Sequence, residues 1–301
     1  MNKVIFRGTC TAAVTPFTDD GIDFDALSRQ IEFQISNGID ALCILGTTGE
    51  APTITECEYD AIAKFAYEKI AGRVKFILGT GSNCTKKAIE KSRLAQKAGA
   101  DGLLVVTPYY NKCTQKGLVK YYKDICENVD IPVLCYNVPA RTGVNILPET
   151  MAEIAENKNI GGIKEACGNM EQICETARLI RGKTVLYSGD DNLNLAMLSI
   201  GSMGLISVAS NVAPKEVATV AKLFFEGKNR EAAELQERLL PLIDQMFTEV
   251  NPIPVKKATE LMGLGSGIVR APLTELEPEH TKTLISTLKD FGIKIKTDVQ
   301  I

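Results

Sequence analysis

Eight times along this chain a short run rich in β-forming residues is followed by a segment of helical spacing, and that alternation limits the fold more than any other feature. The runs lie at residues 8–17, 39–46, 75–82, 101–110, 131–139, 160–166, 184–190 and 204–211. Intervening segments such as 25–37, 56–70, 86–97 and 171–180 place apolar residues three and four apart with charges between them, the pattern of amphipathic helices. Eight β-α units in roughly 225 residues match a (β/α)8 barrel, whose active-site groups gather where strands end and βα loops begin. An open, doubly wound sheet is the alternative that alternation alone leaves standing. Past residue 211 there is more helix than a barrel needs, at 214–225, 230–247, 254–262 and 281–291, with Gly and Pro breaks between. The expected organisation is a catalytic TIM barrel over residues 1–225 and a C-terminal helical domain over 226–301.

Charge and cysteine content narrow the function classes. The 34 basic and 37 acidic residues of the 301 nearly cancel, and no dense Lys/Arg tract suggests nucleic acid or a membrane surface. No segment approaches the about 20 apolar residues of a membrane span, and residues 1–17 lack a secretory pattern, so a cytoplasmic protein acting on small molecules is expected. Nine cysteines without a C-x-x-C pair do not form a disulfide or zinc pattern, and most read as buried small hydrophobes. The single histidine, His280, lies in a polar stretch that reads as an exposed helix start. Ser-His-Asp, Cys-His and histidine-ligated zinc chemistry are thereby disfavoured, leaving proton transfer to Tyr, Lys, Asp, Glu or Thr.

Lys164 ends the apolar run Asn159-Ile160-Gly161-Gly162-Ile163-Lys164. Strand alternation puts Ile160, Gly162 and Lys164 on one face and Gly161, Ile163 and Glu165 on the other, with Gly162 leaving room beside the amine for a small molecule. Desolvation favours a neutral lysine, and a neutral amine adds to a carbonyl to give a Schiff base. Taken alone, a strand-end lysine reaching solvent is the stronger reading. Its companions reverse that. Gly46-Thr47-Thr48-Gly49-Glu50 is a glycine turn with two hydroxyls and free amides that could hold a carboxylate, although capping threonines in a plain turn fit it equally well. Thr107-Pro108-Tyr109-Tyr110 and Tyr136-Asn137-Val138-Pro139-Ala140-Arg141-Thr142 bring tyrosines to two strand ends, where packing is their commoner role. An iminium-forming site without histidine needs a hydroxyl to shuttle protons, and Tyr136 is placed for it. Arg141 has the geometry of a bidentate carboxylate binder, but a lone loop arginine is more often a solvated charge.

Together with Asn251-Pro252-Ile253-Pro254-Val255-Lys256, these segments resemble, in order and spacing and over nearly the full chain, the dihydrodipicolinate synthase family of pyruvate-dependent class I aldolases. The resemblance implies a lyase that condenses pyruvate with L-aspartate 4-semialdehyde in diaminopimelate and lysine biosynthesis. It requires no cofactor beyond a covalent pyruvate iminium on Lys164. It further implies that Thr47 and Thr48 receive the pyruvate carboxylate, and that Thr47, Tyr136 and Tyr110 form a proton relay. In that pattern Tyr110 serves the neighbouring subunit's site, within a homodimer or a homotetramer built as a dimer of dimers. Arg141 is implied to take the semialdehyde carboxylate, and Gly189 and Ile206 to line the pyruvate pocket. N-acetylneuraminate lyase and 2-keto-3-deoxy sugar-acid aldolases share the lysine and tyrosine but lack the arginine, so Arg141 favours the synthase. A non-catalytic keto-acid-binding barrel would be expected to lose Lys164 or Tyr136. Lysine-inhibited members use two histidines and a glutamate where this chain has Glu56, Tyr59 and Lys87, with Asn83 and Tyr109 retained, so feedback by lysine is expected to be weak or absent.

Overall fold

A strand buried on both faces needs continuous apolar sequence, and Val133–Asn137, every residue of which is buried, is typical of this chain. The computed structural model describes residues 4–296. Eight largely buried strands, β1 (Gly8–Ala12), β2 (Ala41–Ile44), β3 (Lys75–Gly79), β4 (Gly102–Val106), β5 (Val133–Asn137), β6 (Ile160–Glu165), β7 (Leu186–Ser188) and β8 (Gly204–Ser207), pair in parallel with their sequence neighbours. β8 returns to β1 and closes the barrel. This is the (β/α)8 barrel expected from the alternation, and the open sheet is excluded.

Helices α1 (Phe24–Ser36), α2 (Glu56–Ile70), α3 (Thr85–Lys97), α4 (Gln115–Cys126), α5 (Pro148–Ile154), α6 (Met170–Ile180), α7 (Asn194–Ser199) and α8 (Pro214–Phe225) surround it. Their starts carry recognisable stop-start chemistry. Thr55 and Glu58 form a reciprocal capping box on α2, and Asp23, Thr114 and Asn169 cap α1, α4 and α6 through their side chains. After α8 come α9 (Asn229–Gln245), α10 (Ile253–Leu261) and α11 (Pro278–Phe291). His280 stands in the first turn of α11 and pairs with Glu249 at 2.6 Å.

The core is layered. Ile77, Leu104, Leu134, Tyr136, Tyr187 and Ile206 fill the barrel interior. Between strands and helices lies a second layer that includes Ile62, Val105, Cys135 and Ile163. A third joins Val14, Leu205 and Val208 of the barrel to Val217, Leu242, Val255 and Leu284, so α8 to α11 share apolar surface with the barrel wall.

Two expectations need correction. Ile160 packs with Ile163 in the outer layer, away from the face of Lys164, because the β5–β6 register shifts by one residue between Val133 and Leu134. One extra residue in a strand inverts the alternation on one side of it. The cysteines are mostly not buried: Cys10, Cys43, Cys126 and Cys135 are, whereas Cys57, Cys84 and Cys174 are exposed and Cys113 and Cys167 half-buried. The three exposed ones lie on the outward faces of helices or at a helix start, where helical rotation, invisible in a spacing of cysteines, sets exposure.

Candidate active site

At the carboxyl ends of the strands a cavity of about 360 Å³ opens, lined among others by Thr47, Tyr109, Tyr136, Arg141, Asn251 and Lys91. β5 and β6 hold Tyr136 and Lys164 as register partners. Lys164 is only 5% exposed, and its Nζ lies 4.4 Å from the centre of the Tyr136 ring. No carboxylate among the described residues pairs with this amine. The room for its stem comes from Gly189, where an added Cβ would approach Lys164 Cε to 2.9 Å. The space beside Gly162 is already taken, since a Cβ there would meet Tyr187 at 3.0 Å and Leu134 at 3.1 Å, so that part of the sequence reading is overturned. Ile206 is fully buried in the barrel interior. Cys10 and Cys43 line the same interior, where burial pushes the Cys43 thiol up to about 11 while the Lys164 ammonium opposes the shift. Burial raises Cys10 as well.

Glu165 faces the other way. Its carboxylate accepts hydrogen bonds from Asn137 Nδ2 at 3.0 and 3.1 Å and from the Cys167 amide at 2.9 Å. Burial raises its pKa, and the Asn137 hydrogen bond opposes. Asn137 reaches on to Asn145, which exchanges hydrogen bonds with Gln172 on α6. The strand ends carrying Tyr136 and Lys164 are therefore tied together behind the cavity. Asp191 does the same for β7 and β8, accepting from Ser207 Oγ at 2.5 Å and from the Val208 amide at 2.9 Å.

The threonine turn follows β2. Leu45 at φ 58° and Glu50 at φ 54° bracket it, both in the left-handed region that costs non-glycine residues of order 1–3 kcal/mol. Gly79 on β3 allows this path, because a Cβ there would lie 2.0 Å from the Leu45 carbonyl oxygen. Thr47 faces the cavity, while Thr48 is buried and its Oγ1 accepts from Asn251 Nδ2 at 3.0 Å. The Asn251 carbonyl in turn accepts from the Arg141 guanidinium at 3.1 Å.

The sequence-derived residues do not all converge. Thr47, Tyr136 and Arg141 share the cavity, and Lys164 lies against Tyr136. Tyr110 does not join them: it is 90% exposed, with φ 69°, and projects away from its own cavity, whereas Tyr109 lines it. Among the described residues no hydrogen bond links the hydroxyls of Thr47, Tyr136 and Tyr110.

Other residues at the site were not assigned from sequence. Glu50 and Lys256 form a fully buried ion pair at 2.6 Å. Lys91 lines the cavity, with its ammonium 5.6 Å from the Tyr59 ring centre. Burial holds the Lys91 amine below its usual range, with Glu56 opposing and Lys87 adding to the shift. Lys256 is legible in sequence as a cation that follows the apolar run Pro252-Ile253-Pro254-Val255, but nothing in the sequence around Lys91 separates it from the other cations of α3.

Comparison with known proteins agrees with the geometry. A family model described as "Dihydrodipicolinate synthetase family" matches residues 5–291. A relative from Clostridium tetani called 4-hydroxy-tetrahydrodipicolinate synthase is 46% identical over 96% of this chain and 99% of its own. One of the same name from Alkaliphilus oremlandii is 47% identical over 96% of this chain and 100% of its own. Among solved structures, the dihydrodipicolinate synthase of Aquifex aeolicus superposes with a TM-score of 0.95 at 43% identity, covering 97% of this chain and 100% of that one.

Proposed function

Because the chain belongs to the dihydrodipicolinate synthetase family, we propose that it is a 4-hydroxy-tetrahydrodipicolinate synthase, joining pyruvate to L-aspartate 4-semialdehyde through a Schiff base on Lys164. The observation that carries this reading is a buried amine without a carboxylate partner among the described residues, 4.4 Å from the ring of a tyrosine that lines a cavity also walled by Thr47 and Arg141. The amine nitrogen adds to the keto carbon of pyruvate, and loss of water from the carbinolamine gives an iminium. Loss of a methyl proton then gives an enamine whose carbon attacks the aldehyde. No dissociable cofactor is needed, since the lysine itself supplies the electron sink.

Each proton step needs a hydroxyl, and Tyr136 and Thr47 supply two. Tyr110 completes the relay in a second copy of the chain, a role supported by its outward projection, and the working unit is a homodimer or a homotetramer. Thr47 and Thr48 hold the pyruvate carboxylate, Arg141 holds that of the semialdehyde, and Gly189 and Ile206 shape the pyruvate pocket. The enzyme works in the cytoplasm, in keeping with the lack among the described residues of any helix long and apolar enough to cross a membrane.

Lysine feedback is weak or absent, because Glu56, Tyr59 and Lys87 stand where lysine-inhibited members carry two histidines and a glutamate, and the Lys91 ammonium adds a further cation 5.6 Å from the Tyr59 ring centre. A like charge at 4 Å near a surface disfavours a lysine side chain by about 4 kcal/mol, falling to about 1 in water. A coupled assay with pyruvate and aspartate semialdehyde, run beside N-acetylneuraminate cleavage, tests the whole assignment. Turnover of the first pair alone is expected, and cleavage of the sugar acid without it would move the chain to the lyases.

A further inference from the structure

Lys256 is 0% exposed, deeper than Lys164, and has no place in the chemistry described above. Its ammonium touches the Glu50 carboxylate at 2.6 Å and the face of Phe17, whose ring centre is 3.9 Å away. Glu50 is itself the last residue of the threonine turn. Its amide donates to the Thr47 carbonyl at 3.1 Å, and its carbonyl accepts from the Thr53 amide and hydroxyl, each at 3.0 Å. The second carboxylate oxygen accepts from the Arg270 amide at 2.9 Å, and the Arg270 guanidinium bonds the Thr53 carbonyl and the Glu58 carboxylate. The turn thus ends on a charged side chain clamped from two directions by residues distant in sequence.

The same short segment also governs the opposite wall. Asn251, just ahead of α10, donates to Thr48 Oγ1 and accepts from Arg141, while Lys256 lies within that helix. A buried ion pair is a poor source of net stability, because apolar residues of like volume serve as well. What it does supply is direction: one ammonium and one carboxylate accept a narrow set of placements. Here the placement imposed is that of a turn whose two ends, Leu45 and Glu50, hold unfavourable φ values and would relax if released.

We propose that Glu50 and Lys256 are positioning residues that hold the Thr47–Thr48 turn in the shape that receives the pyruvate carboxylate, so that pyruvate binding depends on a lysine which never touches the substrate. The proposal rests on the reading that pyruvate is captured at Lys164 with its carboxylate at this turn.

The test measures the pyruvate concentration that half-saturates cyanoborohydride labelling of Lys164, beside the KM for each substrate. A merely structural loss lowers the folded fraction, and with it the amplitude of labelling, but leaves the midpoint of the folded molecules in place. Lys256→Met strands the Glu50 charge, so the decisive variant is the charge-neutral pair Glu50→Gln with Lys256→Met. With folding verified by circular dichroism, its labelling midpoint and pyruvate KM are expected to rise about tenfold or more, with the semialdehyde KM moving less than about threefold. A folded double variant with the wild-type midpoint would overturn the proposal. Should that variant not fold, Glu50→Asp, which keeps the charge and withdraws it by one methylene, is read by the same midpoint with the same two outcomes. Absence of labelling in the unaltered enzyme would instead overturn the Lys164 reading itself.

Discussion

Among the described residues two lysines are buried, Lys164 and Lys256, and their surroundings give them opposite roles. Lys164 stands on a barrel strand with an aromatic face and two thiols around it and no carboxylate among the described residues to hold its charge. Lys256 stands on a helix with a carboxylate at 2.6 Å. Burial is common to both, so burial alone does not make a lysine a reagent. At Lys256 burial disfavours the ammonium, and the Glu50 carboxylate opposes that effect. The amine there still falls to about 8, through burial, with Glu50 opposing. A strong, short ion pair ties up the lone pair that a nucleophile needs, whereas the Lys164 amine is left for a carbonyl.

The most severe way to break this contrast is chemical labelling. With pyruvate and borohydride, peptide mapping is expected to find the adduct on Lys164, and Lys164→Ala is expected to abolish it together with activity. An adduct on Lys256 would erase the distinction. Next in size is Tyr136→Phe, which keeps the ring over the amine and removes only a hydroxyl at the cavity wall. Turnover is expected to fall by about 10²–10⁴-fold, the range of a positioned acid or base, with unfolding by heat nearly unchanged. An unaltered rate would assign Tyr136 to packing alone.

A smaller effect is expected from Arg141→Ala, whose guanidinium is tied to the Asn251 carbonyl at the edge of the Lys256 side of the site. The KM for the semialdehyde should rise, while the midpoint for pyruvate labelling stays. Equal changes for both substrates would show that Arg141 supports the whole wall and does not select a carboxylate.

Smallest is the contribution of Glu58, the outer member of the charge group around Lys256. Its carboxyl is held down to about 2, chiefly by the Arg270 hydrogen bond. A depressed acid stabilises the fold fully above its ordinary value of 4.5 and loses that contribution as the pH falls toward 2. Solvent screening reduces the worth of so accessible a pair to about 1 kcal/mol. Urea unfolding from pH 7 to pH 3 is expected to show Glu58→Gln less stable at the upper end and converging on the unaltered protein at the lower. Parallel curves would show that the pair contributes nothing.

The sequence by itself determined the fold class, because strict alternation of eight β-rich runs with amphipathic segments has few closed solutions. It also placed Lys164, Tyr136, Thr47 and Arg141 at strand ends, since position within a β-α unit is local information. Helix extents were legible for the same reason: Glu56–Ile70 follows from the apolar spacing of that segment. Only the tertiary structure could decide which face of β6 carries Ile160, because a register shift belongs to a pair of strands and is not written in either one. The structure alone turned Tyr110 outward and Tyr109 inward, adjacent residues separated by one left-handed φ. It likewise joined Glu50 to Lys256 and Arg270, more than 200 positions away, and brought Lys91 to the cavity. Sequence spacing reports what neighbours along the chain can do, whereas the partner of a buried charge is set by closure of the barrel and by where α10 comes to rest on it.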